Sequence, residues 1–275
     1  MSLPQILYGT AWKKERTSAL VVEAVLQGFR AIDTAGQPKH YNEEFVGAAL
    51  QILQDQHGIK REDIWLQTKF TSINGQDTTK PLPYDPTQPI PNQVQTSFSD
   101  SLKNLRTTYL DSYILHSPLP TRDGTLEAWR TLGKLQDEGH VRRIGVSNPY
   151  DVGTLEALAK ERPVQVVQNR WYEGNQWDKE VCAYCKRNGM MYQSFWTLTG
   201  SPRLLTHPSL NALAQRHHKT PEQILFRLAQ TRGVVPLAGS TDRGRMRDGV
   251  ETEQIELVNE EEEVQKLTSV TGLDA

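Results

Sequence analysis

Short β-prone runs alternate with helical runs along the 275-residue chain, and this alternation restricts the possible folds more than any other feature. Strands are predicted at Gln5–Gly9, Arg30–Asp33, Ile64–Lys69, Asp111–His116, Val141–Ser147, Val164–Asn169, Met190–Phe195 and Val234–Leu237. Helices are predicted at Ser18–Gln27, Glu43–Gln54, Asn92–Leu105, Thr125–Glu138, Val152–Lys160, Lys179–Arg187, Pro221–Gln230 and Asn259–Leu267. Eight strand-helix units predict an α/β fold, a (β/α)8 barrel of the TIM type with parallel strands, as a single domain over residues 1–275.

The alternative is a doubly wound open sheet, in which strands and helices alternate in the same way. Such a sheet usually has fewer strands, and the chain contains neither the GxGxxG nor the GxxxxGK[ST] motif.

Capping signals support two of the helices. Thr220 precedes Pro221 and is followed by Gln223 in the capping-box position, and Asn259 precedes a run of four acidic residues.

Composition and charge restrict the class of partner. A net charge of -2 without a long basic stripe gives no electrostatic reason to expect nucleic acid or a membrane surface. Two cysteines, Cys182 and Cys185, cannot form a disulfide framework, and no apolar run approaches the ~18 residues that cross a bilayer. The first residues resemble no export or transit signal. We expect a cytoplasmic protein that binds a small molecule, with no metal site, as a monomer or weak homo-oligomer.

Ionisable side chains stand at or just beyond the ends of three early strands. Asp33 and His116 end their strands, Lys69 ends the strand between them, and Tyr41 lies in the loop after Asp33. In an α/β barrel the carboxyl ends of the strands meet at one face, where catalytic groups are found. Each residue alone has an ordinary structural interpretation, but their shared position predicts an active site.

The motifs GFRAIDTA, HYNEEFVG, QTKF and ILHSP, in this order and spacing, resemble the signature of the aldo-keto reductases over nearly the whole chain. The resemblance implies a catalytic tetrad of Asp33, Tyr41, Lys69 and His116. Tyr41 would donate a proton to the carbonyl oxygen as hydride reaches the carbon. Lys69 would lower the pKa of Tyr41, Asp33 would hold Lys69 charged, and His116 would orient the carbonyl.

The loop between Asp33 and Tyr41 is longer than the family pattern. His40 is therefore an alternative to His116 as the residue that contacts the substrate oxygen.

The resemblance also implies a nicotinamide site. Ser147 and Asn148 in the GVSN run would hold the carboxamide, and either Gln168 or Asn169 would complete that clamp. Phe195 is the aromatic residue expected to stack on the nicotinamide ring. The other cofactor-binding residues implied by the resemblance are Thr10, Trp196, Leu198, Ser240, Thr241 and Arg245.

The cofactor is predicted to be NADPH, with NADH the less favoured choice. Leu237 stands where relatives that prefer NADPH commonly have lysine. Ser240 and Thr241 still supply hydroxyls near a helix start, and Arg245 follows as the leading ligand for a phosphate. Asp242 could instead bind a free ribose hydroxyl and favour NADH.

Aromatic residues near the strand ends predict the substrate pocket: Trp12, Phe70, Tyr84 and Trp171. Tyr84 belongs to a proline-rich segment from Thr71 to Pro91, which is either a functional loop or a surface insertion. The expected function is reduction of an aldehyde or ketone to an alcohol by hydride transfer from NADPH. The alternative is a nicotinamide-binding regulatory or structural protein without significant turnover.

Overall fold

The computed structural model describes residues 3–257 and 261–271, in which eight parallel strands close into a barrel. The strands are β1 Leu7–Gly9, β2 Ala31–Asp33, β3 Trp65–Phe70, β4 Leu110–Leu115, β5 Val141–Ser147, β6 Val166–Arg170, β7 Met191–Phe195 and β8 Val234–Ala238. Each strand pairs with its neighbours in sequence, and β8 returns to β1 with Leu237 beside Leu7. The predicted TIM-type fold is confirmed.

Helices surround the barrel. They are α1 Thr17–Leu26, α2 Glu43–His57, α3 Ile90–Asn104, α4 Arg122–Asp137, α5 Val152–Glu161, α6 Lys179–Arg187, α7 Pro202–Leu205, α8 Pro208–Arg216, α9 Pro221–Thr231, α10 Arg243–Glu251 and α11 Glu261–Thr271. Short 3-10 segments lie at Lys14–Arg16, Arg61–Asp63, Ile73–Gly75, Glu173–Asp178 and Thr252–Gln254. The predicted cap Asn259 lies outside the described residues, whereas the capping box of Thr220 and Gln223 is present. The sequence did not predict α7 or α8, and of α10 it predicted only a start near Ser240 and Thr241.

Side chains on each strand alternate between the barrel interior and the layer that packs against the helices. On β3, Trp65 belongs to the interior apolar cluster and Leu66 to the outer one. The alternation continues with Gln67 and Lys69 facing inward and Phe70 facing outward. The interior is therefore mostly apolar at the amino ends of the strands, with Arg143 on β5 as an exception, and polar toward their carboxyl ends.

Gly47 on α2 lies against the carboxyl end of α3. A Cβ atom at this position would lie 2.1 Å from the carbonyl oxygen of Asn104 and 3.0 Å from the backbone of Leu105. The two helices can approach this closely only because residue 47 has no side chain.

Among the described residues, no helix is both long and apolar enough to cross a membrane.

Candidate active site at the carboxyl ends of the strands

Asp33 and Lys69 form a buried ion pair at the centre of the site. The ammonium nitrogen of Lys69 lies 2.7 Å from each carboxylate oxygen of Asp33 and 2.8 Å from the carbonyl oxygen of Thr34. These three acceptors use all three N–H donors of the lysine. Burial lowers the pKa of Lys69, and the negative charge of Asp33 opposes that shift.

The phenol of Tyr41 lies beside this ion pair. Tyr41 directly precedes Asn42, whose side chain caps α2 and so fixes where the loop joins the helix. The ring centroid lies 5.3 Å from Nζ of Lys69 and 5.8 Å from the ring centroid of His116. The hydroxyl makes no hydrogen bond with another residue that the structure describes. The four predicted tetrad residues thus lie together.

The pKa of Tyr41 is raised, not lowered. Burial of the phenol is the main cause, and the negative charge of Asp33 adds to it. The pKa of Tyr41 therefore shifts in the direction opposite to the one expected from Lys69, because burial of the phenol outweighs the lysine charge and Asp33 adds to the rise. Tyr41 is therefore a neutral phenol at physiological pH, which is the protonation state that a proton donor needs.

His116 follows β4 and is half-buried. Its Nδ1 lies 2.7 Å from the hydroxyl oxygen of Thr71, with which it forms a hydrogen bond. Burial and the positive charge of Lys69 lower the pKa of His116 to about 3. The imidazole is therefore neutral at physiological pH. Its Nε2 remains available for a substrate oxygen.

His40 contacts Trp12 and not the ion pair. The two ring centroids lie 3.6 Å apart, and the backbone N–H of Trp12 donates to the carbonyl oxygen of His40 at 2.7 Å. Burial and the charge of Lys39 lower the pKa of His40. Because it is Tyr41 whose ring lies against Lys69 and His116, the geometry favours His116 as the residue that orients the substrate.

Glu43, the first residue of α2, is a further buried acid next to the tetrad. Its carboxylate oxygens accept hydrogen bonds from the hydroxyls of Thr68, at 2.5 Å, and Ser101, at 3.0 Å. Burial raises the pKa of Glu43 from 4.5 to about 7, against the effect of these two donors. From the sequence, Glu43 is predicted only as part of the HYNEEFVG motif, without a role of its own.

A cluster of three buried glutamines supports Asp33 from inside the barrel. Gln67 and Gln168 donate to Oδ1 of Asp33 at 2.8 and 3.0 Å. The same two amides also donate to the side-chain oxygen of Gln193, at 2.7 and 2.8 Å. Gln67 and Gln193 were not predicted, although both occupy inward positions of their strands, which the alternation pattern could have identified.

Gln168 and Asn169 face opposite sides of β6. The Nε2 donors of Gln168 are held by Asp33 and Gln193, whereas its Oε1 makes no hydrogen bond with a residue in the described ranges. The side chain of Asn169 donates to Asp178 at 2.6 Å in the outer layer. Of the two alternatives, only Gln168 therefore faces the barrel interior with an unused acceptor.

Ser147 and Asn148 lie at the end of β5, next to His116. The Ser147 hydroxyl donates to the carbonyl oxygen of Gln168 at 2.6 Å. Asn148 has a left-handed backbone, with φ of 59°, and its side chain donates to the carbonyl oxygen of His116 at 2.9 Å. Its Oδ1 accepts from the hydroxyl of Tyr150 at 2.8 Å. These contacts join the predicted carboxamide clamp to His116, which directly follows β4.

The predicted stacking residues lie beside an arginine. Phe195 ends β7, and the exposed Trp196 follows it. The guanidinium of Arg170 lies 3.9 Å from the ring centroid of Trp196 and 5.7 Å from that of Phe195. One face of Trp196 is therefore covered by Arg170. Leu198, also predicted to bind the cofactor, packs partly buried against the outer core.

The predicted phosphate-binding residues follow β8. The hydroxyl of Ser240 accepts from the backbone N–H of Asp242 at 3.0 Å, and Asp242 caps α10. Thr241 and Arg245 are exposed. Arg243 is held by Glu23 at 3.1 Å, whereas the side chain of Arg245 makes no ion pair with any residue described. Of these two arginines, only Arg243 is paired with a described acid.

Three of the four residues predicted to line the substrate pocket are buried in the protein. Phe70, Tyr84 and Trp171 are at most 5% exposed, because they pack in the layer between barrel and helices. The Tyr84 hydroxyl donates to the carbonyl oxygen of Thr71 at 2.8 Å, so the proline-rich segment is anchored to the barrel. Only Trp12, at 67% exposure, can present its side chain to a ligand directly.

Thr10 was predicted to contact the cofactor. It is fully buried, and its hydroxyl donates to the carbonyl oxygen of Asp33 at 2.9 Å. Its side chain is therefore occupied in joining β1 to β2 below the site.

The sequence pattern of the aldo/keto reductase family matches residues 5–271. The chain belongs to this family. Among aldo-keto reductase relatives, glyoxal reductase of Bacillus subtilis is 30% identical over 88% of this chain and 79% of its own length. Human aldo-keto reductase family 1 member C4 is 30% identical over 95% of this chain and 87% of its own.

A solved structure gives the same result for the aldo-keto reductase fold. The aldo/keto reductase from Brucella melitensis superimposes with a TM-score of 0.79 at 30% identity, and the match covers 98% of this chain and 95% of that one. The tetrad described above therefore lies on the fold of an oxidoreductase family.

Proposed function

We propose that this protein is an NADPH-dependent reductase of aldehydes or ketones, with Tyr41 as the proton donor. The observation that carries the proposal is the position of the Tyr41 phenol. It lies against Lys69 and His116, and its hydroxyl has no hydrogen-bond partner among the described residues. The proton of that hydroxyl is therefore available to a substrate oxygen.

The nicotinamide cofactor would supply the hydride that reduces the carbonyl carbon. Neutral His116 would hold the carbonyl oxygen through Nε2, since Thr71 occupies Nδ1. As negative charge grows on that oxygen it becomes more basic than a phenolate, so the proton of Tyr41 moves to it. The charge of Lys69, 5.3 Å from the ring, then stabilises the phenolate that remains.

The residues that would bind the carboxamide of the cofactor suit an amide group. The unused Oε1 of Gln168 can accept from the amide nitrogen, and the Ser147 hydroxyl lies close by on the neighbouring strand. At the other end of the cofactor, the unpaired charge of Arg245 favours a 2′-phosphate and therefore NADPH over NADH. Arg243 is already held by Glu23.

The proposal is tested by mixing the protein with NADPH and a panel of carbonyl compounds and following nicotinamide absorbance. Glyoxal belongs in the panel because one relative is a glyoxal reductase. The critical variant is Tyr41→Phe, which keeps the ring and removes the donated proton. We expect its rate to fall by about 10²–10⁴, as for loss of a general acid. Tyr184→Phe on α6 is the matched control and should keep the parent rate.

Cofactor affinity is measured on the same variants by fluorescence titration. Unchanged affinity with lost turnover in Tyr41→Phe would support the assigned role. Tight NADPH binding with no turnover on any carbonyl would instead identify a nicotinamide-binding protein without enzymatic activity. Parent-like rates in Tyr41→Phe and a loss in His40→Phe would move the proton donor to His40.

A further inference from the structure

A second cavity opens at the opposite end of the barrel from Asp33 and Tyr41, at the amino ends of β7 and β8. Its volume is about 330 Å³. One wall is apolar and is formed by Met190, Met191, Val234 and Val235. The size and the apolar wall are those of a small-molecule site.

Among the described residues that line this cavity, three are cations and none is Asp or Glu. They are Arg143 on β5, Lys186 on α6 and Arg232 just after α9. The guanidinium groups of Arg143 and Arg232 make no hydrogen bond or ion pair with a residue in the described part of the chain. Nε of Arg232 is moreover buried. A buried donor without a partner destabilises the protein unless a ligand or water satisfies it.

Arg142 provides the contrast within the same strand. It faces outward, donates to Asp111 at 2.8 Å and stacks on the ring of Tyr109. Arg143, one residue later, faces the barrel interior, since Ile144 belongs to the outer layer. Within residues 3–257 and 261–271, no acid contacts Arg143. A negatively charged ligand could therefore pair with it.

We propose that this cavity binds a small carboxylate with a short apolar chain. The planar guanidinium groups suit the two oxygens of a carboxylate, and the methionine and valine side chains suit the apolar chain. The site lies at the face of a barrel where residues serve stability and not chemistry. Occupancy should therefore stabilise the fold, and the proposal does not depend on carbonyl reduction.

Methyl NMR of the full chain tests this proposal, with hexanoate as the probe and hexanol as its neutral control. The sequence has four methionines, of which Met190 and Met191 line the cavity. Met246 lies on α10 beside the predicted phosphate site and reports on that end of the barrel. We expect hexanoate to shift the Met190 and Met191 methyl signals saturably and to leave Met246 unchanged. Hexanol should shift none of them at the same concentration.

Arg143→Met and Arg232→Met should each weaken hexanoate binding by about ten- to a hundredfold, the range for a charge-assisted hydrogen bond. Arg187→Met, one residue beyond Lys186 and outside the cavity, is the matched control and should bind as the parent does. Thermal unfolding of each variant shows whether it folds. The proposal is overturned if hexanol binds equally well, if only Met246 responds, or if both folded arginine variants keep the parent affinity.

Discussion

The side-chain amide of Gln168 donates to Oδ1 of Asp33 at 3.0 Å. The carboxylate that holds Lys69 thus also fixes the orientation of a residue proposed to bind the nicotinamide carboxamide. Because the Nε2 donors of Gln168 point at Asp33 and Gln193, its oxygen must face the site. One carboxylate therefore contacts both Lys69, beside the proposed proton donor, and Gln168 of the proposed cofactor clamp.

This relationship predicts that Asp33→Asn impairs cofactor binding as well as turnover. An amide at position 33 has one acceptor oxygen in place of two and no negative charge, so it cannot hold the donors of Lys69, Gln67 and Gln168 together. We expect weaker NADPH binding, by about tenfold for one lost charge-assisted hydrogen bond, measured by fluorescence titration. Glu43→Gln, which changes a buried acid that does not touch Gln168, should bind NADPH like the parent. Loss of rate without loss of affinity in Asp33→Asn would contradict the coupling.

Lys69→Met should reduce turnover at least as much as Tyr41→Phe. Nζ of Lys69 lies 5.3 Å from the centroid of the Tyr41 ring, and no other cation contacts this ring within the described residues. Loss of the lysine therefore removes stabilisation of the phenolate. Single-turnover rates of hydride transfer, compared with NADPH affinity, measure the effect. Arg170→Met, which removes a cation stacked on Trp196, is the control for a general loss of positive charge. A Lys69→Met protein with near-parent rates would refute the proposed role.

Arg245→Ala should discriminate between the two nicotinamide cofactors. Loss of a charge-assisted bond to a 2′-phosphate should weaken NADPH binding by about ten- to a hundredfold and leave NADH nearly unchanged. Arg243→Ala is the control, because its guanidinium is already paired with Glu23. Equal losses for both cofactors in Arg245→Ala, or tighter binding of NADH than of NADPH by the parent, would overturn the assignment.

Glu43 predicts a change of stability with pH. Its pKa is raised from 4.5 to about 7, so between these values the folded protein binds a proton that the unfolded chain has released. Its contribution is therefore fully present below pH 4.5 and is lost as the pH rises through 7. Relative to Glu43→Gln, the parent should lose about 1.4 kcal/mol of unfolding free energy per pH unit within this window. Urea unfolding of both proteins at pH 5 and pH 8 measures the difference, and equal pH slopes would show that Glu43 is ionised throughout.

The pKa of His116 predicts a change of stability with pH that has the opposite sign to that of Glu43. Its pKa is lowered from 6.5 to about 3, so the unfolded chain takes up a proton between these values before the folded protein does. Its contribution is present above pH 6.5 and is lost as the pH falls toward 3. Compared with His116→Gln, the parent should become less stable on acidification from pH 6.5 to pH 4. Urea unfolding at these two values tests it, and a difference that does not change with pH would contradict a neutral buried imidazole.

The barrel and the tetrad could be predicted because their signals are local. Strand-helix alternation is visible in any short window, and Asp33, Lys69 and His116 stand at strand ends that one fold brings together. Helices α7 and α8 were missed because Gly200, Pro202 and Pro208 indicate a loop, although proline is favourable in the first turn. For helix α10 only the start near Ser240 and Thr241 was predicted and not its extent, because two of its nine residues are glycines.

The predictions for the substrate pocket failed where they depended on which side of a strand a residue faces. Phe70 and Trp171 each follow an inward position, Lys69 and Arg170, and so point into the outer core. The raised pKa of Tyr41 has a similar origin, since it depends on burial and on the pairing of Lys69 with Asp33. Alternation along a strand indicates the side that a residue faces only relative to its neighbours, and the sequence does not give the pKa.

Gly47 has a consequence for Tyr41, although it takes no part in the chemistry. The tyrosine joins α2 through the cap of Asn42, so any displacement of the helix carries the phenol with it. A methyl group at residue 47 would meet the backbone at the end of α3, which cannot turn aside as a side chain could. The helix would have to tilt or move outward. The position of the Tyr41 phenol thus depends on how closely α2 approaches α3 at Gly47, six residues along the chain.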